Sequence, residues 1–160
     1  AKIRDNLRRL DLSADVRVAD AGDLAGWWDG TPFDVVLLDA PCSGSGVIRR
    51  HPDIKHLRRP GDLKRLASEQ ARLLDRLWQT VAHGGALLYV TCSLFPEENE
   101  DQVERFLASH TDAVPRRISA PSGHYGRYGL QTLPGVHNVD GFYYALVQKK
   151  LKSATGPGTR

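Results

Sequence analysis

The sequence has no methionine, only two cysteines, and no apolar run near the roughly 20 residues that a membrane-spanning helix needs. The missing run excludes a helical membrane anchor within these residues. The N-terminal Ala1-Lys2-Ile3-Arg4 is no secretory signal, so a cytoplasmic protein is expected. Cys42 and Cys92 are too far apart to form a C-x-x-C pair, which excludes a thioredoxin-like motif, and neither sits in a Cys-protease pattern. With six scattered histidines they match no structural zinc spacing either, so no metal is expected. The chain opens inside a helical pattern, Ile3 to Leu10, with no capping residue ahead of it, and this reads as a piece of a longer protein.

What is present is ordinary for one globular α/β domain: 41% hydrophobic and 26% charged residues over 160 positions. The domain is expected over residues 1–150, with the Gly/Pro/Thr-containing 151–160 as a flexible tail. The net charge of +3 permits a polyanionic partner without requiring one. Its distribution is uneven. Between Arg49 and Arg76 nine basic side chains stand against four acidic ones, directly after the first cysteine. Charge alone fits a solvated helix face as well as a phosphate-binding surface, and adjacency to a thiol tilts the reading to phosphate.

Val35-Val36-Leu37-Leu38 reads as a strand buried on both faces, and it ends in Asp39-Ala40-Pro41-Cys42. Ala86 to Val90 repeats the pattern after a Gly84-Gly85 turn and ends in Thr91-Cys92-Ser93. Between them, Leu63, Leu66, Ala67, Leu74, Leu77, Trp78 and Val81 recur at helical spacing, with Asp62 as N-cap and Gly84 as the stop. A right-handed crossover through this helix makes the two strands parallel neighbours. Both thiols then fall at the carboxyl edge of the sheet, where ligands of α/β proteins bind, on strands about 4.8 Å apart. A lone buried cysteine is usually a small hydrophobe; two in matching positions point to chemistry.

Elsewhere, Val16-Arg17-Val18-Ala19 alternates like a third strand and ends at Asp20, a cofactor acceptor or, more in keeping with the following Ala-Gly, a turn residue. Trp27 and Trp28 read as packing anchors rather than a base-stacking platform. Pro96 fits the first position of a helix whose N-terminal turn holds Glu97, Glu98, Glu100 and Asp101, with Val103, Phe106 and Leu107 on its buried face. Cys92 precedes this helix; the helix end favours a thiolate and the acids oppose it. Val114 to Ile118 reads as a short strand, Ser122 to His137 as irregular, Phe142 to Val147 as the last strand, and the chain from Lys149 onward as frayed.

Five segments in order resemble one family: Phe33 to Gly44 with its Asp39-Ala40-Pro41-Cys42, Arg49-Arg50-His51-Pro52-Asp53, Tyr89-Val90-Thr91-Cys92-Ser93, Pro96-Glu97-Glu98-Asn99-Glu100, and Asp140-Gly141-Phe142-Tyr143. They are similar to the RNA cytosine-5 methyltransferases over nearly the whole chain, Ile3 to Lys150. Val35 stands where that family often has Lys, Arg or Ala, and His56 where a Trp is common. The resemblance implies a Rossmann-like S-adenosyl-L-methionine-dependent fold truncated at its N-terminus. The family's Gly-rich cofactor loop, ribose-binding acid and RNA-binding domain would precede Ala1.

By that resemblance Cys92 is the nucleophile that adds to cytosine carbon 6, and Cys42 assists release. Asp39 orients the methionine end of the cofactor and bonds the base, Asp20 accepts from the adenine amino group, Pro41 shapes the base pocket, and Arg49 and Arg50 contact phosphate. The implied partner is single-stranded or loop ribosomal RNA, since a stacked base cannot reach these groups. The truncated chain is expected to be inactive, with the Val16–Ala19 strand poorly paired and the exposed sheet edge favouring self-association. Two alternatives stay open: a DNA cytosine-5 methyltransferase using Cys42 as nucleophile, against which the second thiol argues, and a catalytically silent RNA-binding fragment.

Overall fold

The structure, a computed structural model, describes residues 2–152. Helix α1 (Lys2–Arg9) leads through a stretch whose regular structure is one 3-10 turn (Leu24–Gly26) to β1 (Phe33–Asp39). After a short α2 (Ile54–Leu57) come α3 (Asp62–Trp78), β2 (Val81–Thr91) and α4 (Glu100–Ser109). Four strands close the chain: β3 (Ala113–Arg116), β4 (His124–Tyr125), β5 (Leu130–Gln131) and β6 (Tyr143–Lys149). The sheet runs β1-β2-β6-β5-β4, and β3 also pairs with β6. β1 and β2 are parallel, as the crossover requires, while β6 is antiparallel to β2.

The core lies on one face. Leu73, Leu74, Leu77 and Trp78 of α3, with Val103 and Phe106 of α4, cover Leu38, Leu87, Tyr89, Tyr143, Ala145 and Val147. Trp27 and Trp28 pack against this cluster, as anchors do. Burying these side chains removes apolar area from water and holds the crossover against the sheet.

Several elements depart from the sequence pattern. Val16 to Ala19 forms no strand, and Val18 is fully exposed; no described strand offers its backbone a partner, and an isolated extended segment cannot satisfy itself. β1 is not buried on both faces: Leu38 is 6% exposed but Val35 and Leu37 are 68% and 62%. Among the described residues β1 is the edge strand, and the helices cover only the face that Leu38 occupies.

The stop of α3 comes at Trp78, where Thr80 donates its hydroxyl to Leu77 O, so Val81 and Gly84-Gly85 belong to β2. The pairing register shifts there, and a Cβ at Gly85 would stand 2.7 Å from Asp34 O. The glycine thus lets β1 approach rather than ending a helix. Asp62 opens α3 but closes the turn before it, accepting from Arg59 N, with Gly61 in the cap position.

Pro96 begins a 3-10 turn, Pro96–Glu98, and α4 starts only at Glu100. The expected irregular stretch contains the small β4–β5 hairpin. Lys149 is not frayed: it ends β6, and its ammonium donates to Trp78 O and Val81 O. Of the expected tail, residues 153–160 lie outside the described residues.

Candidate active site

The register of β1 on β2 sets the site. Asp39 pairs with Val90, and Ala40 N–H donates to Val90 O, so both chains leave the sheet side by side at the same edge. Three residues later on one strand and two on the other, the sulfurs of Cys42 and Cys92 meet at 3.3 Å, both half-buried. The loops are stitched directly: Gly46 N–H donates to Cys92 O, and Gly141 N–H to Gly46 O. A Cβ at Gly46 would collide with Gly141 O, so this three-way contact needs glycine. Behind the thiols, the hydroxyls of Ser43, Ser45 and Ser93 stand within 3.2–3.3 Å of one another, and Ser45 Oγ accepts from Leu94 N–H.

The sulfur contact decides the electrostatics. Either sulfur can donate to the other; with Cys42 as the donor the contact lowers Cys92 to about 7, against burial and the charges of Asp39 and Glu98, which raise it. The same contact pushes Cys42 far above the ordinary thiol range, and burial adds to it. In that arrangement the pair gives up its first proton near neutral pH and the charge falls on Cys92.

Asp39 is exposed, at the end of β1 beside the pair; its charge is also felt by Tyr144, which burial first and Asp39 second shift upward. Pro41 sits at the mouth of the loop with its carbonyl taken by Gln70. Arg50 leans on Asp140 at 2.7 Å, while Arg49 stands exposed and makes no ion pair among the described residues. Asp20 is not with this group. Its carboxylate closes a turn on Gly22 N–H and is bonded by Arg72 of α3, which holds it below the usual carboxylate range.

Four residues to which the sequence analysis gave no role at the thiols hold their loops. Arg58 donates to Ser43 O and Cys42 O, Gln70 to Pro41 O, Glu98 accepts from Ser43 N–H, and Asn99 donates to Ser93 O. A signal for Gln70 was available: it is a polar residue on the buried stripe of α3, one turn from Leu66 and Ala67 and one from Leu73 and Leu74.

The sulfur contact predicts a pH profile. Alkylation of Cys92 by iodoacetamide, followed by peptide mass spectrometry, should rise through a midpoint near pH 7. In Cys42→Ala the donor is gone and the midpoint should move up toward the ordinary thiol value of about 8.5. An unchanged midpoint would show that Cys42 does not set the acidity of Cys92.

Comparison with known proteins identifies the relatives of this chain. Ribosomal RNA small subunit methyltransferase B of Shewanella oneidensis is 48% identical over 148 residues, covering 92% of this chain and 34% of that protein. The protein of the same name from Vibrio cholerae is 49% identical over 149 residues, 93% of this chain and 33% of its own length. The chain thus spans about a third of these relatives. Among solved structures, PH0851 superposes with a TM-score of 0.86 at 31% identity, covering 92% of this chain and 34% of that one. NSun6 from Pyrococcus horikoshii, solved with SFG, gives 0.80 at 28%, covering 92% and 38%. A family model described as 16S rRNA methyltransferase RsmB/F matches residues 1–148, and the chain belongs to that family.

Proposed function

We propose that this chain is part of the catalytic domain of an S-adenosyl-L-methionine-dependent methyltransferase that modifies carbon 5 of a cytosine in ribosomal RNA, in the cytoplasm. The observation that carries the reading is the pair of sulfurs 3.3 Å apart at the carboxyl edge of two parallel strands, with Asp39 beside them. The relatives named as ribosomal RNA methyltransferases support the substrate class, and NSun6, solved with the S-adenosylmethionine analogue SFG, supports the cofactor.

The residues present fit that cofactor in part. A cavity of about 780 Å³ is lined by Ala19, Ala21, Trp27, Phe33, Leu38 and Asp39 among others. Its apolar walls suit an adenine ring, and Asp39 at its rim suits a cationic amino group. When bound there, the cofactor supplies an electrophilic methyl group. Asp20 does not line this cavity and is held by Arg72, so an adenine contact through Asp20 requires that ion pair to open.

The chain's own residues divide the chemistry. The Cys92 thiolate adds to carbon 6 of the cytosine, and the electron pair of the 5,6 double bond makes carbon 5 nucleophilic. After carbon 5 is methylated, its proton must leave for the double bond to re-form and the carbon–sulfur bond to break. Cys42, in contact with Cys92, assists that elimination. Arg49 is free to contact phosphate, and Arg50 can do so while anchored to Asp140.

The test uses a protein that carries this chain at the length of its relatives, ribosomal RNA and S-adenosylmethionine, read on a denaturing gel. Cys92→Ala should abolish both methylation and any covalent protein–RNA species. Cys42→Ala should accumulate a denaturation-resistant adduct, because addition proceeds and release is slowed. An adduct with Cys92→Ala and none with Cys42→Ala would reverse the roles and favour the DNA-type mechanism.

The 160 residues alone should bind S-adenosylmethionine weakly and methylate nothing, since they cover a third of the relatives. Equilibrium binding of labelled cofactor with a turnover assay checks this; measurable turnover would refute it. The chain alone should also self-associate through β1, whose edge is unpaired among the described residues and whose Val35 and Leu37 face water. Sedimentation should show mass rising with concentration, and a monomer throughout the range would count against it.

A further inference from the structure

Glu98 ends the 3-10 turn and Asn99 separates it from α4, where acids and amides usually serve the helix end. Neither does so here. Asn99 occupies the N-cap position of α4, yet its side chain makes no capping bond. Both are buried, 0% and 2% exposed, and their side chains reach in different directions.

Glu98 serves the Cys42 loop: its Oε1 accepts from Ser43 N–H at 2.8 Å and from Gln70 Nε2 at 3.1 Å, and the same Gln70 nitrogen donates to Pro41 O at 2.8 Å. Asn99 serves the Cys92 loop: its Nδ2 donates to Ser93 O at 2.9 Å, and its Oδ1 accepts from Thr91 Oγ1 at 2.6 Å. Two successive side chains thus grip the residues flanking each cysteine. The grip is fixed to the core, because Tyr89 donates its hydroxyl to Glu98 O at 2.6 Å.

Stability does not account for this arrangement. Among the described residues Glu98 Oε2 is the buried side-chain oxygen or nitrogen left without a partner, and such an atom costs stability. Diverting Asn99 from its cap costs more. Arg58 also holds the Cys42 loop, from the solvent side, and the loops touch directly at Gly46 and the three serines, but Glu98 and Asn99 hold one loop each from adjacent positions of the chain.

We propose that Glu98 and Asn99 are positioning residues that set the separation of the two thiols, holding the Cys42 and Cys92 sulfurs in contact. A shift of either loop by about 1 Å would break so short a contact. The proposal deepens the methyltransferase reading, on which its catalytic meaning rests, but its test needs neither RNA nor a methyl donor.

Two substitutions separate reach from charge. Glu98→Gln removes the charge and keeps an oxygen at the same reach; Glu98→Asp keeps the charge and withdraws the oxygen by one methylene. Asn99→Ser is the neutral counterpart on the other loop and the reserve should Glu98→Asp not fold. Each folded variant, checked by circular dichroism, is read in two ways on the 160-residue chain. One is the pH midpoint of Cys92 alkylation. The other is the rate at which diamide joins Cys42 and Cys92, two thiols giving a disulfide while the azo group is reduced to a hydrazine.

Glu98→Gln should cross-link at the wild-type rate or faster, because it keeps the oxygen in place and removes a charge that raises Cys92. Glu98→Asp and Asn99→Ser should cross-link about tenfold more slowly, with the Cys92 midpoint raised by about one pH unit. A role in packing alone would lower the melting temperature and leave both thiol readouts unchanged. Wild-type cross-linking and midpoint in folded Glu98→Asp, or in Asn99→Ser if that is the variant that folds, overturn the proposal. The RNA-adduct assay can fail while these readouts shift as stated, and the reverse, so the two readings fall separately.

Discussion

The parallel register of β1 against β2 is the constraint from which the site follows. Leu38 opposite Tyr89 and Asp39 opposite Val90 put both strands' ends at one edge, and α3 packed on a single face is what makes that register reachable. Because side chains alternate along a strand, a slip of one residue would turn Leu38 out of the core and swing Asp39 toward the helices. Such a slip would expose a side chain now 6% accessible while bringing Leu37 inside, and it would misalign the Gly46 and Gly141 contacts beyond the strands. The thiol contact is therefore a consequence of core burial as much as of the loops that carry it.

The crossover, the parallel pair and the meeting of the two cysteines were legible in the sequence because each rests on a repeating signal: helical spacing across Leu66 to Trp78, and a short apolar run ending in reactive residues twice. The misreadings share a cause. An apolar run such as Val35 to Leu38 states that a strand wants two covered faces, not that both covers lie within these residues. Val16 to Ala19 alternates correctly yet forms nothing, since a strand's hydrogen bonds belong to its neighbour. Gly84-Gly85 reads equally as a helix stop or a place where another backbone comes close, and only the position of Asp34 O decides between them.

The polar residues around the thiols were the hardest to read, for a different reason. Glu98 and Asn99 stand among acids that suit a helix N-terminus, so their local role sufficed to explain them. Their actual partners, Ser43 and Ser93, are set by long-range pairing. Asp20 shows the converse. Its local turn with Gly22 could be read from the sequence, whereas its ion pair with Arg72, 52 positions away, could not.

The sulfur contact also bears on how one pair of sulfurs could serve two steps of the proposed reaction. In the resting site the Cys92 thiolate is what keeps Cys42 protonated, by accepting its S–H and by its charge. Once the Cys92 sulfur is bonded to carbon 6 it carries no charge and is a poor acceptor, so both causes weaken together. Cys42 then becomes a stronger acid, able to lose its proton to solvent and act as the base that elimination at carbon 5 needs. Burial still opposes its ionisation, so the gain is partial. In the proposed reaction the chemistry itself would set the timing: Cys42 would be released to ionise only after the covalent bond had formed. A separation of 3.3 Å makes this coupling strong, because both the hydrogen bond and the Coulomb interaction fall off with distance.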